Sequence, residues 1–291
     1  MSTPIHRLHL VECPRDAWQG MHAFIPTGLK ARYVQKLIET GFDTIDVGSF
    51  VSPRAVPQVS DTAKLLAAVS LEKSHSRLLA IVANLKGSEL ACEQEKISDV
   101  GYPFSLSETF QLKNTNASIG QSFRTVADIY ALCQKKGKEL VVYLSMGFGN
   151  PYGDPWTADT VFNWVEKLSA LGIKNFSLAD TVGLAKPDEI SLVFEGIARI
   201  FPDLRVGAHF HSRPDAWLEK VSAAFDAGCR RFDGTISGFG GCPFAQDDLV
   251  GNIATENLVY FARKHKLAPN LNSAALEEAR EIFRTQIAAN K

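Results

Sequence analysis

Excess charge of either sign is missing from this chain: 31 Lys and Arg stand against 32 Asp and Glu, a formal net charge of −1. That balance excludes the basic footprint of a nucleic-acid binder, and no polybasic run is present to hold a membrane surface. Long hydrophobic runs are missing too, so no segment reads as a bilayer-spanning helix. Cysteine is sparse, with five residues (Cys13, Cys92, Cys133, Cys229 and Cys242) in an odd, scattered set. Their spacing excludes a metal finger and a disulfide framework, and reads as reduced thiols. The start, Met-Ser-Thr-Pro-Ile-His, lacks the charged and apolar regions of a secretory leader, and the final Ala-Asn-Lys is not a peroxisomal address. Together these absences predict a cytoplasmic protein. No low-complexity or linker-like stretch interrupts the 291 residues, so one domain over residues 1–291 is expected. A hydrophobic content of 45% with 22% charged residues suits a chain that buries a full core.

What is present is an alternation. Short β-rich apolar runs occur at His6–Cys13, Thr44–Phe50, Arg77–Ala83, Asp99–Leu106, Leu140–Met146, Asn175–Ala179, Arg205–His211 and Arg231–Ile236. Helical periodicity lies between them: Val34, Leu37 and Ile38 share a face before Gly41, and Val161, Trp164, Val165 and Leu168 share one before Gly172. Asp188 and Glu189 follow Pro187, as the start of a helix favours. Eight such units predict an α/β fold, a closed (β/α)₈ TIM barrel, with an additional C-terminal helix at Ala274–Ala288. The rival, a doubly wound dinucleotide-binding sheet, needs Gly-x-Gly-x-x-Gly after the first strand, where this chain has Pro14-Arg-Asp-Ala-Trp-Gln19. In a barrel the chemistry belongs at the C-terminal ends of the strands.

Several polar residues fall there. His209 and His211, two apart in the seventh strand, point the same way into the barrel mouth and are suited to sharing a divalent ion. Asp16, just past the first strand, and Asn252, expected at the start of the last βα helix, could add oxygen ligands. Arg15 beside Asp16 is a candidate for holding a developing oxyanion. Asp46 and Asp180 line the same mouth, either one available to orient Arg15 or a histidine. Asp233 reads as an internal ion-pair partner, and Trp18, Trp156 and Trp217 as packing residues. The run Gly238-Phe-Gly-Gly-Cys-Pro-Phe-Ala245 reads as a glycine-hinged loop that carries one ionisable group, Cys242, towards the chemistry.

These residues resemble the 3-hydroxy-3-methylglutaryl-CoA lyases. The likeness is carried by Thr235–Ala245 with Gly251–Glu256, by Pro14-Arg15-Asp16 with Gln19, by Ser49–Gln58, Asn84–Gly87 and Ser107–Asn116, and by Asp180–Gly183 and His209–His211. It runs in order from about residue 11 to about residue 260, nearly the whole chain. It implies a divalent cation, Mg²⁺ or Mn²⁺ with Zn²⁺ also acceptable, held by Asp16, His209, His211 and Asn252. It implies cleavage of a hydroxymethylglutaryl thioester to acetyl-CoA and acetoacetate. Arg15 would steady the enolate and Cys242 would return a proton; His209 and Asp16 are both candidates for the base, with Asp180 and Asp46 in support. Gln19, Lys113 and Asn114 would hold the acyl-CoA, and homodimers are the default expectation.

The chain departs from the family pattern at Trp18 (usually Leu), His22 (usually Lys), Asp46 (usually Glu), Ala179 (usually Gly) and Ser212-Arg213 (usually Asp-Thr). These changes leave open a lyase for a different branched 3-hydroxyacyl-CoA. A condensing enzyme run in the synthetic direction is disfavoured by the lyase-type loop, and a non-catalytic acyl-CoA or metal-binding relative by the intact ligand set.

Overall fold

The computed structural model describes residues 7–241 and 250–290. Eight strands, β1 (His9–Glu12), β2 (Thr44–Ser49), β3 (Arg77–Ile81), β4 (Ile97–Ser105), β5 (Glu139–Ser145), β6 (Asn175–Asp180), β7 (Arg205–Ser212) and β8 (Arg231–Gly234), pair in parallel with their sequence neighbours. Pairing of β1 with β8 and of β6 with β7 closes the ring, so the fold is the expected TIM barrel. The strands read as apolar runs because helices cover them outside and side chains fill the barrel inside; all six residues of β2 are buried.

The closing seam between β7 and β8 is thin, with a single register pair, Ala208 opposite Phe232. Above it the strands part, and a two-residue strand, β9 (Gly251–Asn252), enters the gap. It runs antiparallel to β7, with His211 opposite Asn252 and Ser212 opposite Gly251, while Ala254 bridges to Thr235 on the other side. Asn252 therefore belongs to this wedge, not to the start of the helix, which begins at Thr255. Nothing in its local sequence has strand periodicity, because β7 imposes the extended backbone.

The remaining boundaries differ modestly. The residues after β1 form a short helix, Pro14–Trp18, with proline in its first turn. The last helix, Ser273–Ile282, continues through a π-turn at Phe283–Ile287 and ends in a 3₁₀ turn, Ala288–Asn290. Helix Thr27–Thr40 stops at Gly41 in the left-handed conformation, as its cap position demands.

The main hydrophobic cluster fills the layer between barrel and helices, whereas the barrel interior is divided. One side is apolar, built of Leu79, Ile81, Val141 and Tyr143. The other carries Arg231, Asp233 and His209, with Arg231 and Asp233 paired at 3.2 Å. At the N-terminal rim, ion pairs link Arg77 to Asp99 (2.5 Å), Arg7 to Asp43 (2.6 Å) and Arg205 to Glu139 (2.7 Å). Among the described residues no helix is long and apolar enough to cross a membrane.

Candidate active site and metal centre

The turn from Cys13 into helix Pro14–Trp18 aims two adjacent side chains at the barrel axis. Arg15 donates through Nε (3.0 Å) and Nη2 (2.5 Å) to Oδ2 of Asp46, and through Nη1 to Asp16 Oδ1 (2.7 Å) and Gln19 Oε1 (3.0 Å). Gln19 in turn donates to Asp16 Oδ1 at 2.8 Å. The guanidinium is thus clamped on three sides, which a lysine could not reproduce. Burial opposes the Asp16 carboxylate, but Arg15 and the two histidines outweigh it and hold its pKa well below the ordinary value. For Asp46 the balance tips the other way: burial wins over Arg15 and its carboxyl is raised.

Strand β7 presents His209 and His211 on one face, their ring centroids 5.3 Å apart. Each is oriented from behind. Thr181 O lies 2.7 Å from Nδ1 of His211, so that nitrogen carries the proton and Nε2 the lone pair. Nδ1 of His209 faces Asp233 Oδ2 at 3.3 Å. Burial lowers the His209 pKa, but Asp233 and Asp16 outweigh it and the net shift is upward.

One ligand atom from each of Asp16, His209 and His211 lies within 4.8 Å of the others, all three residues buried. His211 Nε2 is buried with no hydrogen-bond partner among the described residues and stands 3.9 Å from Asp16 Oδ2, too far for a hydrogen bond. A lone pair facing a carboxylate with no proton between them is an arrangement that a cation relieves, so these residues fit a divalent ion. The backing of each imidazole by a carbonyl or carboxylate fits the same reading. Asn252 donates Nδ2 to Asp16 Oδ2 (2.7 Å) and to Phe239 O (3.1 Å). Were that amide turned over, its Oδ1 would be the atom offered to a cation.

A cavity of about 1270 Å³ opens above this cluster. Arg15, Asp16, His209 and His211 form its floor, and Gln19, Lys113 and Asn114, expected to hold the acyl-CoA, line it too. Asp46 is not on the cavity wall; it reaches the site through Arg15. The expectation that Asp180 orients Arg15 or a histidine needs correction. Its Oδ2 accepts from Lys220 Nζ (2.6 Å) and its Oδ1 from Ala185 N (3.1 Å). Lys220 also donates to the carbonyls of Gly183 (2.9 Å) and His211 (3.1 Å), so this buried cation, unread in the sequence, ties the β6 and β7 ends together.

Of the positions where the chain departs from the family pattern, His22 and Ala179 line the cavity. Trp18, read as a packing residue, does turn into the core against Tyr33, 6.0 Å between ring centroids, and is not part of the cavity wall. Ser212 is buried and donates to Arg213 O at 3.0 Å. Cys242 lies outside the described residues, but the glycines before it are described. Gly240 has φ +84, and a Cβ there would meet the carbonyl oxygen of Asp16 at 2.5 Å, so only glycine lets the loop lie on the helix that carries Arg15 and Asp16.

Barrel enzymes keep their chemistry at this end of the strands, and the class defined here is a TIM-barrel enzyme with a candidate nitrogen–oxygen cation site beside a clamped guanidinium. A family model described as HMGL-like matches residues 9–283. The hydroxymethylglutaryl-CoA lyase of Bacillus subtilis is 32% identical over 266 residues, 91% of this chain and 88% of that protein. A 3-hydroxy-3-isohexenylglutaryl-CoA/hydroxymethylglutaryl-CoA lyase of Pseudomonas aeruginosa is 30% identical over 274 residues, 94% of this chain and 90% of that one. The solved structure of an HMG-CoA lyase from Acinetobacter baumannii, in complex with coenzyme A and 3-methylmalate, superposes with a TM-score of 0.88 at 30% identity, covering 99% of this chain and 96% of the other. The chain belongs to the HMGL-like family and is an enzyme, a lyase.

Proposed function

We propose that the protein cleaves 3-hydroxy-3-methylglutaryl-CoA to acetyl-CoA and acetoacetate. The observation that carries this reading is the convergence of Asp16, His209 and His211 on one point beside Arg15, at the floor of a cavity large enough for an acyl thioester. Asp16, His209, His211 and the amide oxygen of Asn252 would hold a divalent cation, Mg²⁺ or Mn²⁺ by the hardness of the oxygen donors. Bound there, such an ion supplies a Lewis acid that orients the substrate's tertiary hydroxyl and makes it more acidic.

The chain's own residues do the rest. Asp16, through a carboxylate oxygen not held by the cation, or His209, once released from it, takes the hydroxyl proton, the bond between C2 and C3 breaks, and its electrons pass into the thioester as an enolate. Arg15, fixed by Asp46, Asp16 and Gln19, presents a pre-aligned guanidinium to the enolate oxygen. Cys242 returns a proton to C2, and Gln19, Lys113 and Asn114 position the coenzyme end. The test is release of acetyl-CoA from 3-hydroxy-3-methylglutaryl-CoA by metal-loaded protein, with Cys242→Ser alongside. Turnover that Cys242→Ser abolishes supports the reading, and no turnover by protein that binds one cation overturns it.

A second reading keeps the mechanism and enlarges the C3 substituent. It is favoured by the apolar stretch of cavity wall at Met21, Val51, Ala55, Val56 and Phe110, and by the isohexenyl substrate in the name of the Pseudomonas relative. Preferential turnover of a longer-chain 3-hydroxy-3-alkylglutaryl-CoA would separate the two.

A further inference from the structure

Beneath the upper ligand set is another cluster of different chemistry. Cys13, at the end of β1, His209 and Asp233 each bring a ligand atom within 4.8 Å of the others, and all three residues are buried. His209 Nδ1 and Asp233 Oδ2 are 3.3 Å apart, the spacing of adjacent ligands about 2.0 Å from a tetrahedral ion. Asp233 Oδ1 is buried without a hydrogen-bond partner among the described residues, with Arg231 Nη1 at 3.2 Å. Among the described residues the Cys13 thiol's hydrogen-bonding contact is a long one, 4.0 Å to Val11 O. Burial first, and then the charges of Asp233, Asp46 and Asp16 against Arg15, keep the Cys13 thiol protonated in the metal-free protein.

A thiolate, an imidazole and a carboxylate select softer ions than the carboxylate, imidazole and amide set above. We propose that Cys13, His209 and Asp233 form a second cation site, taking a thiophilic divalent ion such as Zn²⁺ or Cd²⁺, whose filling withdraws His209 from the upper ligand set. The proton balance explains the antagonism. On binding, the Cys13 thiol gives its proton to solvent. His209 gives Nδ1 to the ion, and its proton moves to Nε2. An imidazole protonated at Nε2 has no lone pair left for an ion in the upper set. Entry is from the cavity floor, where His209 forms the boundary. The antagonism rests on the proposed upper set; the lower site itself does not.

The test is titration of metal-free, full-length protein with Cd²⁺, followed by sulfur-to-cadmium charge-transfer absorption in the ultraviolet. The expected result is one equivalent bound with that absorption, in the wild type and in Cys242→Ser alike. In Cys13→Ser and Cys13→Ala the absorption is lost and Cd²⁺ affinity falls about 10–100-fold, as on loss of a metal-site partner. Two variants are used so that one failing to fold, judged by circular dichroism, leaves the other to decide. Absorption that persists in both Cys13 variants overturns the site, and so does absorption lost in Cys242→Ser.

The antagonism is read separately, by electron paramagnetic resonance of Mn²⁺ held in the upper set. Cd²⁺ should release Mn²⁺ from the wild type at concentrations about tenfold lower than from the Cys13 variants. Cadmium absorption with Mn²⁺ still bound overturns the sharing of His209. Failure of Mn²⁺ to bind at all counts against the upper set, while the cadmium titration still decides the lower one.

Discussion

Arg15 makes four hydrogen bonds to three side chains, Asp46, Asp16 and Gln19, and every one of them restrains the plane of the guanidinium. A lysine keeps the charge but offers one nitrogen, which cannot meet Asp46 and Asp16 together and still face the cavity. Arg15→Lys is therefore expected to lower kcat about 10²–10³-fold, the usual cost of removing an oriented oxyanion donor. Cation affinity should change far less, because the ligand atoms themselves are retained. Steady-state kinetics beside a Mn²⁺ titration would check this, and an unchanged kcat would remove Arg15 from the reaction. Arg15 and Asp16 were legible in the sequence because both fall in the turn that follows a strand end, where barrel geometry concentrates chemistry. The role of Cys13, two residues before Arg15, was not legible. Its partners His209 and Asp233 are far off in sequence and meet it only through closure of the barrel.

At the scale of elements, β1 is fastened to the loop beyond β8 by one buried carboxyl. Glu12 accepts from Ile236 N at 2.9 Å and from the Thr255 hydroxyl at 2.5 Å, and so anchors both sides of the glycine-rich segment. Burial pushes its pKa from 4.5 up to about 8, its hydrogen bonds only partly offsetting the cost of the charge. The native state then holds a proton that the unfolded chain releases between those two values. Stability from this group is complete below about pH 4.5 and is lost as pH rises towards 8, by about 1.4 kcal/mol per pH unit within that window. Glu12→Gln keeps an acceptor for Ile236 and carries no charge, with its amide donating to the Thr255 hydroxyl in place of accepting from it. The variant is expected to gain on the wild type steadily between pH 5 and pH 8 in denaturant unfolding. A difference between the two proteins that does not move with pH would contradict the argument; Asp16 and Asp233, shifted the opposite way, cancel in that difference. The eight parallel strands were readable because each is buried on both faces and so forms an apolar run. Strand β9 was not, because two residues carry no period and their extended shape comes from pairing with β7. The Asp180–Lys220 tie was hidden for a similar reason: the partners lie 40 positions apart and meet only where β6 and β7 end.

Across the whole molecule the two ends of the barrel separate their work. The C-terminal mouth holds glycines at positive φ and a buried lone pair without a partner among the described residues, whereas at the N-terminal rim the charges of Arg7, Arg77 and Arg205 are all neutralised by carboxylates. Arg77 grips Asp99 with two donors, Nε at 2.9 Å and Nη2 at 2.5 Å, joining the first residue of β3 to β4. Strand β3 spans five residues, roughly 16 Å, so this pair lies far below the candidate cation site. Asp99 is buried while Arg77 is nearly half exposed, and solvent screening reduces what the pair contributes to about 1 kcal/mol. For a chain of this size that corresponds to a fall in Tm of about 2–4 °C in Arg77→Gln. The same variant should keep kcat/KM, since conservation of function in a barrel resides at the other rim. Thermal unfolding and steady-state kinetics on the one variant decide the matter. Loss of Tm with intact kcat/KM is the expected pattern, and a tenfold fall in kcat/KM would mean that charge at the base of the barrel is coupled, through Arg231 and Asp233, to His209 above it.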